Sequence, residues 1–146
     1  MFNKMGFKLL GLVVMASFLF IAQAQTEEQG WKKTITLPSG EVVCDLNGEW
    51  DSLLMGRGGN SFGRQERDVF KITQQGKSFK GVRTIGNQFL HKGSIAIEGE
   101  LDSNGFKKLI YRGDANTGLA IGKIIKDGNM IEIQYGSSFV VELTRK

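Results

Sequence analysis

Cysteine, histidine and proline each occur once in the 146-residue chain, and tryptophan and tyrosine twice each. The single Cys44 excludes an intrachain disulfide, so the domain must hold together through its own core or by association. Cys44 reads as a small, semi-buried hydrophobe, with pairing to a second chain as the rival. One His and one Cys leave zinc without an N/S ligand set, and haem would have His91 alone; no cofactor is expected. Any imidazole base would have to be His91. A Cys44–His91 dyad is disfavoured by the strand order derived below, so the chain is read as a non-enzyme.

Charge of one sign is also missing. The net +4 includes Lys4 and Lys8, which lie in an apolar leader without acids; beyond it 17 bases face 15 acids. Such a balance demands neither nucleic acid nor an anionic membrane. In the leader, Leu9 to Ile21 form an apolar core and Ala22-Gln23-Ala24 supplies small residues for cleavage before Gln25. The pattern predicts a signal peptide over 1–24, export to the periplasm or the extracellular space, and no stable membrane span after cleavage.

The other absence is any helix-length apolar period. After a polar arm, 25–47, with Trp31 as an anchor and a turn at Pro38-Ser39-Gly40, short alternating segments run to the end of the chain. They read as strands at Gly48–Met55, Arg67–Gln74, Lys77–Ile85, Gly93–Leu101, Phe106–Arg112, Gly118–Lys126, Met130–Tyr135 and Ser138–Thr144. Gly, Asp and Asn turns separate them, and Asp127-Gly128-Asn129 is the clearest hairpin signal. Six of the seven connections are short, which predicts an all-β fold: an eight-stranded antiparallel up-and-down barrel over 48–146. A two-sheet sandwich is the rival.

In that topology the loops Gly56–Glu66, Gly86–Lys92, Gly113–Thr117 and Gly136–Ser137 share one end of the barrel. The start of the first strand and the end of the last share the other, which sets Trp50 beside Arg145. Cys44 and His91 fall at opposite ends.

Gly48-Glu49-Trp50 opening the first strand, with Arg145 closing the last, resembles the calycin superfamily, which includes the lipocalins and avidins. The resemblance implies that Trp50 plugs a closed end with Arg145 stacked over it, a cation–π pair worth about 0.5–2 kcal/mol. It also implies a long first loop, Gly56–Glu66, lidding the open end. The chain departs from lipocalins in lacking a C-terminal helix and a disulfide, and from avidins in having only Trp31 and Trp50, so biotin binding is not carried over. Small bacterial periplasmic protease inhibitors share the layout.

No other motif carries chemistry. The loop Gly56-Arg57-Gly58-Gly59 leads into a strand rather than a helix, and Gly76-Lys77-Ser78 lacks the first glycine of a P-loop. Arg57, Arg64 and Arg67 could draw an anion to the mouth. Glu98 and Glu100, about 7 Å apart on one strand face, are expected to face water. What remains is the interior: Phe70, Ile72, Ile97, Leu109, Tyr111, Ile121, Ile133, Tyr135, Phe139 and Val141. These residues are the expected lining for a small apolar ligand in a barrel that is either filled or holds one such molecule. The alternative is a protein-interaction module, such as a periplasmic protease inhibitor or envelope-stress partner, with oligomeric state left open.

Overall fold

In the computed structural model the described residues are 30–113 and 117–146. The expected leader and the start of the arm lie outside them. Residues Trp31–Lys146 form one compact unit that contains the whole buried cluster.

A two-stranded hairpin comes first, β1 (Thr34–Thr36) with β2 (Val42–Cys44). The main sheet follows: β3 (Gly48–Gly56), β4 (Gln65–Gln75), β5 (Ser78–Arg83), β6 (Ile95–Asp102), β7 (Gly105–Arg112), β8 (Thr117–Leu119), β9 (Ile121–Ile125), β10 (Met130–Tyr135) and β11 (Phe139–Arg145). Every pairing is antiparallel, and the spatial order is β8-β7-β6-β5-β4-β3-β11-β10-β9. The first long strand therefore pairs with the last, with Trp50 opposite Arg145. No helix among the described residues is long and apolar enough to cross a membrane.

The sheet has nine strands where eight were expected. The expected strand Gly118–Lys126 is divided at Ala120, whose N–H donates to the Leu109 carbonyl at 2.9 Å. Before that point β8 pairs with β7; after it β9 pairs with β10. The two ends of the strand order are thus one residue apart in the chain, and the barrel is nearly closed. The ladder between β7 and its neighbour stops at Ala120, which leaves a seam between β7 and β9. Side chains occupy that seam: a Cβ on Gly122 would lie 2.6 Å from Leu109 Cδ2 and 2.8 Å from Phe106 Cδ2, so any larger residue there must displace them.

Period-two alternation decides what fills the barrel. Trp50, Ser52 and Leu54 of β3 are buried, while Glu49 and Asp51 are exposed. Phe70 and Ile72 of β4, Phe79 of β5, Ile97 and Leu101 of β6, Leu109 and Tyr111 of β7, Ile131 and Ile133 of β10, and Val141 and Leu143 of β11 complete the core. Each large apolar side chain contributes about 1.5–3 kcal/mol by leaving water. Ile121 does not join them. It is 67% exposed on the outer face, because Gly122 takes the inward position against Phe106 and Leu109.

The arm belongs to the core. Val43, Cys44 and Leu46 are fully buried, and Trp31, Ile35 and Leu37 pack against the cluster. The Lys32 N–H donates to the Asp127 carbonyl at 2.9 Å, which ties the arm to the turn between β9 and β10. In that turn Lys126, Asp127 and Gly128 all have positive φ, 50°, 59° and 89°. The Asp-Gly signal read from the sequence answers this demand. A Cβ on Gly128 would also stand 3.3 Å from the Cys44 sulfur.

Candidate functional site

The two ends of the barrel are built from different chemistry, and the site follows from which end is sealed. At the end holding the start of β3, the Arg145 guanidinium lies 4.4 Å from the Trp50 ring centroid. It donates to the carbonyls of Asp45 (2.7 Å), Asn47 (3.1 Å) and Gly128 (3.1 Å). Trp50 Nε1 donates to the Leu46 carbonyl at 2.9 Å. Gln74 accepts from the Leu46 N–H at 2.7 Å and donates to the Cys44 carbonyl at 3.0 Å. Each bond is side chain to backbone, so the segment 44–47 is stitched across the barrel floor. Cys44, the first residue of that segment, is fully buried, and burial pushes its thiol pKa up to about 11. This is an inert thiol, and His91 sits exposed in a loop at the other end.

That other end is the mouth. Arg83, the last residue of β5, points inward and is only 2% exposed. It donates to Ser94 Oγ (3.3 Å), to the Ile95 carbonyl (2.9 Å) and to the Arg112 carbonyl. Its Nε stands 4.0 Å from Asp68 Oδ2, and its guanidinium lies 5.7 Å from the Phe70 ring centroid. Asp68 Oδ1 in turn accepts from the N–H groups of Ile85 (3.3 Å) and Gly86 (3.2 Å), at the start of the β5–β6 loop. One carboxylate therefore joins the buried cation to the loop above it. Two further ion pairs surround the mouth, Arg64–Glu66 at 2.8 Å and Arg112–Glu98. The Tyr111 and Tyr135 rings stack at 4.9 Å with a 54° tilt.

The β5–β6 loop roofs this cluster. Asn87 Oδ1 accepts from the N–H groups of Phe89 and Leu90, both at 2.8 Å, and the Asn87 N–H donates to the Leu90 carbonyl at 2.7 Å. The turn drives Leu90 over the opening. Beneath it are two cavities of about 20 Å³ each, both lined by Leu54, Glu66, Leu90 and Tyr111. The first also touches Ser52, Asp68 and Arg83, and the second touches Arg64, Tyr135 and Phe139. Each is the size that holds one water. The expected lid, Gly56–Glu66, folds on itself instead: the Gly56 N–H donates to the Arg64 carbonyl at 2.7 Å and a 3₁₀ turn spans Gly59–Ser61.

Nine of the ten expected lining residues face the interior, with Ile121 the exception. Phe70, Tyr111, Tyr135 and Phe139 border the two cavities; Ile72, Ile97, Leu109, Ile133 and Val141 border neither. Of the arginines read near the first loop, Arg64 borders the second cavity and the exposed Arg67 the first, while Arg57 is exposed and borders neither. Sequence reading missed Arg83, Asp68, Glu66, Ser52 and Leu90. The strand alternation carries a signal for four of these: Arg83 extends the inward face of Phe79-Gly81, Glu66 and Asp68 extend that of Phe70-Ile72, and Ser52 lies within that of Trp50-Leu54. Leu90, a loop residue, has no such signal.

A groove of about 600 Å³ lies elsewhere, at the seam, lined by Phe106, Lys107, Lys108, Leu119 and Ile121 among others. Leu119 and Ile121 are 75% and 67% exposed there. The fold and the mouth together define a nearly closed antiparallel barrel, sealed at one end and polar at the other, compatible with the calycin class. No family model matches the chain, and neither a curated protein nor a solved structure does.

Proposed function

We propose that the chain is an exported, calycin-like binding protein whose ligand is a small polar molecule held at the barrel mouth. In this reading β8 and β9 count as one bent strand, so that the ring has the eight members of the lipocalin layout. The observation that carries the proposal is the placement of Arg83, a buried cation aimed into the interior beside a small void that Asp68, Glu66 and Tyr111 also border, next to a second that Glu66, Tyr111 and Tyr135 border. Burying a guanidinium is costly unless it is paired and hydrogen-bonded, and an apolar residue would fill the same space at less cost. Retaining the charge suits a site that reads a polar group. Below the mouth, the buried Trp50, Ile72, Ile97 and Ile133 border neither cavity, which favours a small polar ligand over the apolar one expected from the sequence. The ligand is therefore small, and the Leu90 turn governs its entry. No catalytic step is assigned.

Native mass spectrometry of the protein isolated from the cells that make it tests this reading. A stoichiometric small-molecule adduct is expected, lost in Arg83→Met and kept in Arg57→Ala. A wild-type protein that flies empty, or an adduct indifferent to Arg83, overturns the assignment. The interaction-module alternative rests on the seam groove, and the same experiment separates it: a protein would co-purify, sensitive to Ile121→Asp and not to Arg83→Met.

A further inference from the structure

The near-neutral charge of the chain hides an uneven distribution between the ends of the barrel. At the mouth, the described parts of the connecting loops and the start of β4 carry Arg57, Arg64, Arg67 and Lys92, with His91 beside them, against Glu66 and Asp68, which are held by Arg64 and Arg83. Arg57, His91 and Lys92 are exposed, and Arg67 stands exposed just inside β4. At the sealed end acids and bases alternate, as in Lys32–Asp127, Lys77–Glu41 and Lys146–Glu49.

The same rim bears apolar prongs. Phe62 is 81% exposed, Phe89 65% and Ile85 60%. Phe62 belongs to the β3–β4 loop and the other two to the β5–β6 loop. Both loops border one mouth, since Arg64 and Leu90 line the same cavity. Neither loop is free to fold its prong away. The Asn87 bonds fix the backbone at Phe89, and the Phe62 N–H donates to the Gly59 carbonyl at 3.3 Å in the 3₁₀ turn. The Arg57 N–H donates to the Ser138 carbonyl at 2.7 Å, which braces the first loop against the β10–β11 turn.

Exposed apolar residues scattered singly need no explanation, but three on one rim, beside exposed cations and with the neighbouring acids held in ion pairs, form a pattern. We propose that the mouth end docks on an anionic lipid surface. Phe62, Ile85 and Phe89 enter the headgroup–acyl boundary while Arg57, Arg67, His91 and Lys92 face the phosphates. A bilayer admits prongs on separate loops at any spacing, whereas a protein partner would need two pockets set to match. The proposal is independent of the polar ligand and requires no occupant in the barrel.

Vesicle co-sedimentation of a chain starting at Gln25, which contains the whole compact unit and omits the apolar leader, tests this. Vesicles of equal parts phosphatidylcholine and phosphatidylglycerol should pull the protein down; vesicles of phosphatidylcholine alone should retain much less. The double variant Phe62→Ser, Phe89→Ser should lose about tenfold or more in partitioning, given the apolar area removed. Salt at roughly 0.5 M should weaken wild-type binding. Leu119→Ser with Ile121→Ser, which removes exposed apolar surface at the seam, should leave binding unchanged. Thermal melts of all variants show that each is folded. Wild type that stays in solution, a Phe double variant that binds as wild type does, or equal loss in the seam variant would each overturn the proposal.

Discussion

At the sealed end of the barrel the inward polar side chains bond to backbone; at the mouth, carboxylates and guanidinia meet one another. Arg145 and Arg83 make the contrast concrete. Both lie inside the barrel's ends, both sit over an aromatic ring, and both donate to main-chain carbonyls. Arg145 donates to three carbonyls and covers an indole, and two of those carbonyls belong to the arm it pins down. Arg83 has Asp68 at 4.0 Å and small voids beside it. A carbonyl is fixed by its strand or loop and keeps its partner, while a carboxylate on a side chain can exchange its partner for a ligand. Under the proposed function, the same residue type is a rivet at one end and a reader at the other.

The contrast is broken most directly by truncating the plug. Trp50→Ala is expected to cost about 3–5 kcal/mol in urea unfolding, the range for a fully buried large aromatic. Phe89→Ala at the mouth is expected to fall within about 0.5 kcal/mol of wild type, as for an exposed position. Equal losses at the two ends would show that the mouth is as structural as the floor.

A second measurement sharpens the description of the floor. Burial holds the Cys44 thiol at about 11, against 9.0 when solvated. The unfolded thiol thus gives up its proton at lower pH than the folded one. Its contribution to stability is fully present below about pH 9 and declines as pH rises through about 11. The stability difference between wild type and Cys44→Ala should be flat up to about pH 9 and then change with that sign. A thiol reagent should label Cys44 at the rate of unfolding; rapid labelling of the native protein would mean that the floor is open.

The smallest expected effect lies at the edge of that floor. Glu41, between β1 and β2, accepts from Lys77 at 2.5 Å and from the Ser103 N–H at 3.2 Å. The hydrogen bond from Lys77 holds its carboxyl below the usual range. The pair supports the hairpin at neutral pH and loses that support as pH falls through the lowered value. Glu41→Gln should lower the melting temperature slightly at pH 7 and not at all in acid; an equal drop at both would assign the effect to packing.

The strands, their antiparallel order and the Trp50–Arg145 pair were legible because all three rest on period-two alternation and turn chemistry, which are local. The bend at Ala120 was not. Ile121 is a stronger hydrophobe than Gly122, so composition turns it inward; the space that Phe106 and Leu109 claim on a neighbouring strand turns it out. The deep lining was legible for the same reason as the strands. The mouth was legible only in part: Tyr111, Tyr135 and Phe139 could be placed, and Arg83 falls in phase with Phe79 and Gly81, but a cation in that phase at a strand end reads as solvated until its carbonyl partners are known. Leu90 reaches the cavity through a side-chain-built turn at Asn87, which no periodicity announces.

The pairing of β3 with β11 has a kinetic consequence. Trp50 emerges early in synthesis, yet the guanidinium that covers it and pins segment 44–47 arrives 95 residues later. No nascent chain short of Arg145 can seat its own plug, and contacts of such long separation slow folding. A partial chain keeps the indole and the first strand's edge uncovered, in a form that remains threadable until the final strand joins the first.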